Sequence, residues 1–313
     1  MGLIIATVNM KGGVGKTTLS VNLATCLTKY HGKRVLVVDL DTQISATLSL
    51  MPPHDFAKIR KERRTLSYLV SKVVKPDSKL KYTIDDIIYR YVGTIKGLDL
   101  LPGDIELYDE FLVSEMLHER ALDEGQQEFA RVWTELENTL IKGILEPVVD
   151  EYDFIILDCA PGYNLLTRSA LVASNFYLLP ARPEPLSIVG IQLLERRIAK
   201  LKESHEENNE PLNLKMLGIA FIMSGGLIGR YYHKVIQRVT EDFHPAQIFN
   251  TRIPLDVNVA KAVDSFLPVV LASPGSSGAK ALIKLTQEFL SKLEACGATY
   301  ESSKTKMNLS TLD

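Results

Sequence analysis

The chain has 313 residues, of which 46% are hydrophobic, and a formal net charge of −2. This composition is typical of a soluble protein with a substantial core, and any nucleic-acid binding must come from a local basic patch. The three cysteines, Cys26, Cys159 and Cys296, are too few and too scattered for a disulfide framework or a metal site. No apolar run approaches the ~18 residues of a membrane span, and no signal-peptide pattern is present.

The first predicted element is a buried strand at 3–8, followed by a glycine-rich segment and then a helical pattern. The glycine-rich segment, residues 11–18, reads KGGVGKTT, and the helical pattern places Leu19, Leu23 and Leu27 on one face. A strand, a glycine loop and a helix in this order form the context of a phosphate-binding loop. The alternative, a chance glycine turn before a helix, is disfavoured by the Lys-Thr-Thr that follows the glycines.

The chemistry of this loop predicts a site for nucleotide phosphates. Its glycines, at positions 12, 13 and 15, are expected to adopt backbone conformations closed to other residues, so that N–H groups surround phosphate oxygens at a helix N-terminus. Lys16 then supplies charge to the β- and γ-phosphates, Thr17 ligates Mg²⁺, and Thr18 bonds the α-phosphate. The predicted nucleotide-binding residues of the loop are Lys11, Gly12, Gly13, Val14, Gly15, Lys16, Thr17 and Thr18.

A second lysine, Lys11, stands before the glycines, where a general phosphate loop does not require one. This pattern resembles the deviant Walker-box family, the ParA/MinD ATPases, in which the extra residue is called the signature lysine. The resemblance implies an ATP-dependent homodimer in which Lys11 crosses the interface to the partner's nucleotide and acts in catalysis together with Lys16. The sequence alone also allows Lys11 to be a solvated loop charge.

Two aspartates end the next predicted strand, at 35–38. Since ligands bind beyond the carboxyl ends of strands in α/β sheets, Asp39 and Asp41 are expected beside the phosphates. The family resemblance implies that Asp41 orients or activates the attacking water and that Asp39 has a more structural role near the metal. A strand-end cap is the alternative for either. The family usually continues with Pro-Gln-Gly-Asn, whereas residues 42–45 here read TQIS, which leaves the shape of this switch loop open.

A third acidic position follows the predicted strand at 154–157. Asp158 matches a Walker B aspartate, which is aimed at Mg²⁺ directly or through its water shell; a capping residue is the alternative. The predicted metal-binding residues are therefore Thr17, Asp39 and Asp158. The segment after Asp158 resembles the second switch of the family.

The intervening and C-terminal segments carry weaker signals. A basic run within residues 58–64 is more typical of a solvated face than of a DNA contact. After a predicted strand at 176–179, Glu184 matches a family glutamate that contacts the ribose of the partner's nucleotide, and Pro254 and Asp256 match the loop under the adenine. Further strands are predicted at 98–101, 216–222 and 248–252, with helices at 105–147, 186–202 and 278–294.

The alternation of strands and helices predicts an α/β fold, a single doubly wound, mostly parallel sheet of the P-loop NTPase type flanked by helices. We expect one ATPase domain at 1–295 and a polar, disordered tail at 296–313. Since the first strand begins close to Met1, no N-terminal DNA-binding domain is expected. The tail lacks an amphipathic pattern, so no membrane attachment is expected.

The resemblance implies a ParA-type partition ATPase that is cytoplasmic and nucleoid-associated. ATP and Mg²⁺ would close a sandwich dimer that binds double-stranded DNA non-specifically, and slow hydrolysis, accelerated by a ParB-like centromere-binding or cargo-adaptor protein, would release the DNA. Basic residues at helical spacing form a candidate DNA surface, for which a solvated helix face is the alternative. The predicted DNA-binding residues are Arg230, Lys234 and Arg238, extended by Lys200, Lys202, Lys261 and Lys280.

Two other functions remain open from the sequence. A positioning ATPase for a protein cargo would use the same chemistry, with DNA as a track and a different adaptor. A metabolic P-loop enzyme, such as a kinase or an amidoligase, would need no lysine across a dimer interface. A nitrogenase iron protein is excluded because its cluster needs paired cysteines, and Cys159 lies within the Walker B segment.

Overall fold

The computed structural model describes residues 2–74, 81–107, 113–114, 118, 122, 129–224, 236–237 and 239–298. A seven-stranded sheet, with every strand pair parallel, forms its centre. The strands are β1 Leu3–Thr7, β2 Val35–Leu40, β3 Leu98–Leu101, β4 Phe154–Cys159, β5 Phe176–Ala181, β6 Lys215–Ser224 and β7 Ile253–Pro254. Their order across the sheet is β3-β2-β4-β1-β5-β6-β7. The predicted doubly wound parallel sheet is thereby confirmed.

Helices cover both faces of this sheet. The helices of one layer are α1 Lys16–His31, α2 Ser45–Leu50, α3 Pro53–Lys61, α9 Val257–Asp264, α10 Val269–Ala272 and α11 Ser277–Ala295. Those of the other layer are α4 Leu66–Val74, α5 Ile84–Ile87, α6 Phe129–Leu145, α7 Leu165–Ala173 and α8 Pro185–Glu207. Among the described residues, no helix is both long enough and apolar enough to cross a bilayer.

The two-sided covering explains why the central strands β2 and β4 each begin with an unbroken run of four apolar residues. Every residue of β2, β4 and β5 is buried. Along β4, Phe154 and Ile156 pack into one core cluster while Ile155 and Leu157 pack into the other, because successive side chains of a strand point to opposite faces. The unbroken apolar runs of the sequence are therefore the signature of a sheet buried on both sides.

The prediction of a last strand at 248–252 is wrong, since the final strand is the short β7. Ile248 forms only an isolated parallel bridge with β6. The N–H groups of Asn250 and Thr251 donate to the carboxylate of Glu288, at 2.6 and 2.9 Å. A side chain on α11 thus takes the hydrogen bonds that a strand ladder would use. The predicted helix at 105–147 corresponds to α6 in its second half, and much of its first half lies outside the described residues.

The strand order brings the candidate site together. Because β4 lies between β1 and β2, the end of β4 has a strand end on each side. Asp158 pairs in register with Thr7 on β1 and with Asp39 on β2. The phosphate loop follows β1 at this edge of the sheet, and Asp41 directly follows β2 at the same edge. The described chain ends at Ala298, so most of the predicted tail at 296–313 lies outside it.

Candidate nucleotide-binding site

The glycine loop between β1 and α1 has the backbone geometry that its sequence requires at two of its three glycines. Gly13 and Gly15 have φ angles of +69° and +92°, in the left-handed region that favours glycine. A Cβ on Gly15 would also lie 2.9 Å from Cγ2 of Ile222. The expectation was wrong for Gly12, which is outside the left-handed region, and a Cβ there would meet Pro161 only at an ordinary 3.7 Å.

Lys16, the first residue of α1, is buried under the loop that it follows. Its ammonium group donates to the carbonyl oxygen of Lys11 at 3.2 Å. Burial lowers the pKa of Lys16, while the nearby Asp158 and Asp41 act in the opposite direction. The carboxylates therefore help to keep a charged lysine beside the loop, where it can meet an anion.

Asp158 is fully buried and is held by two hydroxyl groups of α1. Thr17 donates to one carboxylate oxygen at 2.7 Å and Ser20 donates to the other at 2.8 Å. Burial raises the pKa of Asp158, and these hydrogen bonds partly offset that effect. The first turns of α1 thus orient the carboxylate of Asp158 as well as following the glycine loop.

Asp39 is also fully buried, and its shortest hydrogen bonds come from Thr47 of α2. The backbone N–H and the hydroxyl group of Thr47 both donate to the same oxygen of Asp39, each at 2.7 Å. Burial and the adjacent Asp158 raise the pKa of Asp39. Unlike Asp41, Asp39 does not line the cavity beside the loop. Its contacts attach α2, and with it the segment after Asp41, to the end of β2.

Asp41 lines the cavity and has a fixed orientation. It is 7% exposed, and its carboxylate accepts a hydrogen bond from the N–H of Gln43 at 3.0 Å. Its own N–H donates to Asp39 at 3.2 Å. Among the four aspartates predicted from the sequence as site residues, it is the one that the structure places on the cavity wall.

A cavity of about 380 Å³ joins the phosphate loop to an apolar pocket. Its polar end is lined by the loop and by Asp41. Its apolar end comes from α9 and the segment leading into α10, and consists of Val259, Ala262, Val263, Leu267, Pro268 and Val269. A polar, cationic end and an apolar end within one cavity match the phosphate and base ends of a nucleotide.

Pro254 and Asp256, predicted under the adenine, do not line this cavity. Asp256 caps α9 by accepting from the N–H of Asn258 and also accepts from the N–H of Gly278 in α11, both at 2.8 Å. These backbone hydrogen bonds hold the pKa of Asp256 well below its usual range. Asp256 thus fixes the position of α9, whose residues form the apolar end of the cavity.

Lys11 and Glu184 meet within the same chain. The ammonium group of Lys11 donates to the carboxylate of Glu184 at 2.7 Å. Glu184 stands immediately before α8, and its other carboxylate oxygen lies 3.4 Å from Nε of Arg182. The two residues that the sequence predicts to act across a dimer interface are therefore neighbours in one subunit.

The site offers hard oxygen donors to a metal ion but no complete protein cage. Within the described residues, no three His, Cys, Asp or Glu side chains are grouped to hold a metal. Mg²⁺ is usually held by one or two protein groups together with substrate phosphates and waters, so the hydroxyl of Thr17 and the carboxylate of Asp158 suit it. Asp39, whose hydrogen bonds run to α2, suits a supporting role.

The predicted DNA-binding residues fall into three groups. Arg230, Lys234 and Arg238 lie outside the described residues. Lys200 and Lys202 are on α8, in one helical layer, whereas Lys261 and Lys280 are exposed on α9 and α11, in the other. The described lysines are thus divided between the two faces of the sheet.

Sequence reasoning missed Ser20, Thr47 and the apolar end of the cavity. Ser20 follows Lys16 by one helical turn, which places its hydroxyl group at the same end of α1, so its position was a usable signal. Thr47 had no such signal, because its contact with Asp39 depends on how α2 folds back. The apolar residues of α9 have the periodicity of ordinary core residues, and only the fold reveals that they face a cavity.

The parallel sheet, the glycine loop at the end of β1 and the buried aspartate at the end of β4 define the fold of a P-loop NTPase. A family model described as an AAA domain matches residues 2–213. The sporulation initiation inhibitor protein Soj of Bacillus subtilis is 32% identical over 288 residues, which cover 92% of this chain and 98% of Soj. The chromosome partitioning protein ParA of Myxococcus xanthus is 26% identical over 293 residues, covering 93% of this chain and 89% of that protein. The chain belongs to the ParA/MinD family of P-loop ATPases.

Among solved structures, the fold is similar to that of a cobyrinic acid a,c-diamide synthase from Mycobacterium smegmatis with bound ADP and magnesium. The TM-score is 0.67 at 24% identity, and the match covers 95% of this chain and 97% of that one. At this identity the likeness concerns the fold alone.

Proposed function

We propose that this protein is a DNA-partitioning ATPase of the ParA type, which binds DNA as an ATP-closed dimer and releases it on hydrolysis. The observation that carries the proposal is the placement of Lys11 on the loop that lines the cavity, in a chain that matches a chromosome partitioning ParA over nearly its whole length. A metabolic P-loop enzyme has no need of Lys11.

In this proposal the triphosphate lies on the backbone N–H groups of the loop, with Lys16 at the β- and γ-phosphates and Thr18 at the α-phosphate. The base enters the apolar end formed by α9. Thr17 and Asp158 would hold Mg²⁺, with Asp39 in support, and the ion would supply positive charge beside the phosphates. Nucleotide and magnesium bound to the structurally similar synthase support this assignment.

Asp41 is the residue we assign to the attacking water. Its carboxylate is nearly buried and oriented by Gln43, and it lines the cavity on the side of the phosphate loop. A carboxylate in this position accepts a hydrogen bond from a water molecule and aligns it for in-line attack. We expect hydrolysis to be slow, and to be accelerated by a ParB-like centromere-binding or cargo-adaptor protein.

Dimerisation would bring Lys11 and Glu184 of each subunit to the nucleotide of the other. It would also double the number of lysines and arginines available to DNA phosphates, each of which contributes through release of a counterion. DNA binding would therefore depend on ATP, and the protein would associate with the nucleoid in the cytoplasm.

The DNA step is tested by fluorescence anisotropy of a labelled random-sequence duplex, with ATP or ADP, at low and high salt. We expect binding with ATP only, weakening steeply as salt rises. The double variant Arg230→Glu/Lys234→Glu is expected to lose DNA binding and to retain ATP binding. Equal DNA binding with and without ATP, or none, contradicts the proposed cycle, whereas unchanged binding by the double variant places the DNA surface elsewhere.

A further inference from the structure

We infer that Glu184 restrains Lys11 within its own subunit and that release of this lysine is a step that limits dimer formation. The inference rests on the proposed function, because it assigns a regulatory role to the same lysine. It adds that the free subunit contains an autoinhibitory contact, and that the strength of this contact sets how readily two subunits close.

Both ends of the contact are attached to fixed backbone. The N–H of Lys11 donates to Oδ1 of Asn9 at 2.9 Å, and the side-chain amide of Asn9 donates to the carbonyl of Pro180 in β5 at 2.8 Å. Glu184 precedes the first turn of α8, where its carbonyl accepts from the N–H of Ser187 at 2.9 Å. The 2.7 Å ion pair therefore joins the phosphate loop to the start of α8 through two side chains whose backbone positions are anchored.

The Lys11 side chain cannot contact Glu184 of its own subunit and the nucleotide of a second subunit at the same time. In the pair, the ammonium group of Lys11 lies against the carboxylate of its own α8. To contact a phosphate on another subunit's loop, the side chain must turn away from α8 and break this hydrogen bond. Each subunit of a closing dimer would have to do so once, so the dimer requires two such openings.

Arg182 makes the opening reversible. Its Nε lies 3.4 Å from the oxygen of Glu184 opposite to the one that Lys11 contacts. When Lys11 leaves, Glu184 keeps a cationic neighbour, so no carboxylate is left without a counter-charge. The same arrangement lowers the pKa of Glu184, with the hydrogen bond from Lys11 as the main cause. The geometry thus describes an exchangeable contact and not a permanent bond.

The expected strength is modest because the side chains of Lys11 and Glu184 are 36% and 31% exposed. An ion pair at this exposure shifts an equilibrium by about threefold, so two openings per dimer give a change of about tenfold in the dimerisation constant. A change of this size suits a switch, since it raises the protein concentration needed for closure without preventing closure.

The test compares wild type with Glu184→Gln and Arg182→Gln by sedimentation equilibrium with a non-hydrolysable ATP analogue. Glu184→Gln removes the charge that holds Lys11 and keeps a side-chain oxygen that can still accept a hydrogen bond from the ribose of the partner's nucleotide. We expect it to dimerise at about tenfold lower protein concentration than wild type. Arg182→Gln is the opposing variant, because it removes the alternative partner of Glu184 and is expected to dimerise more weakly than wild type.

A second measurement examines Lys11 in the monomer. Acylation of Lys11, followed by mass spectrometry in the absence of nucleotide, should be faster in Glu184→Gln than in wild type, while thermal melting confirms that both are folded. Weaker or unchanged dimerisation of Glu184→Gln, or unchanged acylation, overturns the inference and leaves the proposed dimer standing. A wild-type protein that stays monomeric at saturating analogue overturns the proposed function, and the inference with it.

Discussion

The hydroxyl group of Thr17 donates to Oδ2 of Asp158 at 2.7 Å, which joins the phosphate loop directly to the end of β4. The opposite oxygen of Asp158 accepts from Ser20, one turn further along α1. Two hydroxyl groups of one helix therefore fix both oxygens of the buried carboxylate. In a Mg²⁺ site this matters because a carboxylate that is already oriented needs no rearrangement when the metal binds.

This relationship predicts that Ser20 tunes the affinity for Mg²⁺ without contacting the metal. Ser20→Ala should raise the Mg²⁺ concentration for half-maximal ATPase activity by about tenfold, the usual size of such indirect effects. The measurement is a Mg²⁺ titration of ATP hydrolysis. Thr25→Val is the matched control, because the hydroxyl of Thr25 bonds only a carbonyl within α1. An unchanged Mg²⁺ dependence in Ser20→Ala contradicts the prediction.

Asp41→Asn tests the assignment of the attacking water. The amide keeps an oxygen that can accept from the N–H of Gln43, so the loop should keep its shape. Loss of the negative charge should lower the turnover rate by about 100-fold, the typical contribution of a general base. Calorimetry should still detect ATP binding, and the analogue should still produce a dimer. Hydrolysis at the wild-type rate would remove Asp41 from this role.

Alanine substitutions at two glycines of the loop, Gly12 and Gly15, should change the free energy of unfolding by very different amounts. At Gly15 the φ of +92° and the 2.9 Å approach of a Cβ to Ile222 both oppose a side chain, so Gly15→Ala should cost about 1–3 kcal/mol in the free energy of unfolding. Gly12→Ala meets only Pro161, at 3.7 Å, and should cost about 0.5 kcal/mol or less. Urea unfolding without nucleotide measures both variants. Equal losses would contradict the described loop geometry.

The fold was largely predictable from the sequence because the central strands are doubly buried. Runs such as Phe154–Leu157 have no polar positions, and only a sheet covered on both faces explains them. The strand at 248–252 was mispredicted because its apolar residues resemble a strand, whereas Glu288, far along the chain, takes its N–H groups. Local patterns do not contain such a tertiary contact.

The candidate site also contains features that short sequence motifs predict and features that depend on tertiary contacts. The placement of the glycine loop beside Asp158 was predictable because each follows a short apolar strand motif. The capping role of Asp256 was not, since its hydrogen bond to Gly278 joins segments that only the folded chain brings together. The same holds for the Lys11–Glu184 pair, whose residues are distant in sequence and were each expected to contact the nucleotide of a partner subunit.

The reactivity of the three cysteine thiols reports on the packing of both helical layers against the sheet. Cys26 and Cys159 are buried, and Cys296 is exposed. Burial raises the pKa of the Cys26 thiol to about 12, and that of Cys159 is raised as well, so neither forms much thiolate at neutral pH. A thiol reagent should therefore label Cys296 within minutes and the other two only on unfolding, as followed by mass spectrometry. Rapid labelling of all three in the native protein would contradict the packing of α1 and β4.

The most direct test of the proposed ATP-closed dimer is sedimentation velocity of wild type and Lys11→Ala with a non-hydrolysable ATP analogue. Wild type should double its mass with the analogue and remain monomeric with ADP. Lys11→Ala should bind the analogue and remain monomeric, because it lacks the side chain that reaches the partner's nucleotide. A wild-type monomer at saturating analogue, or a Lys11→Ala variant that dimerises as readily as wild type, would contradict the account.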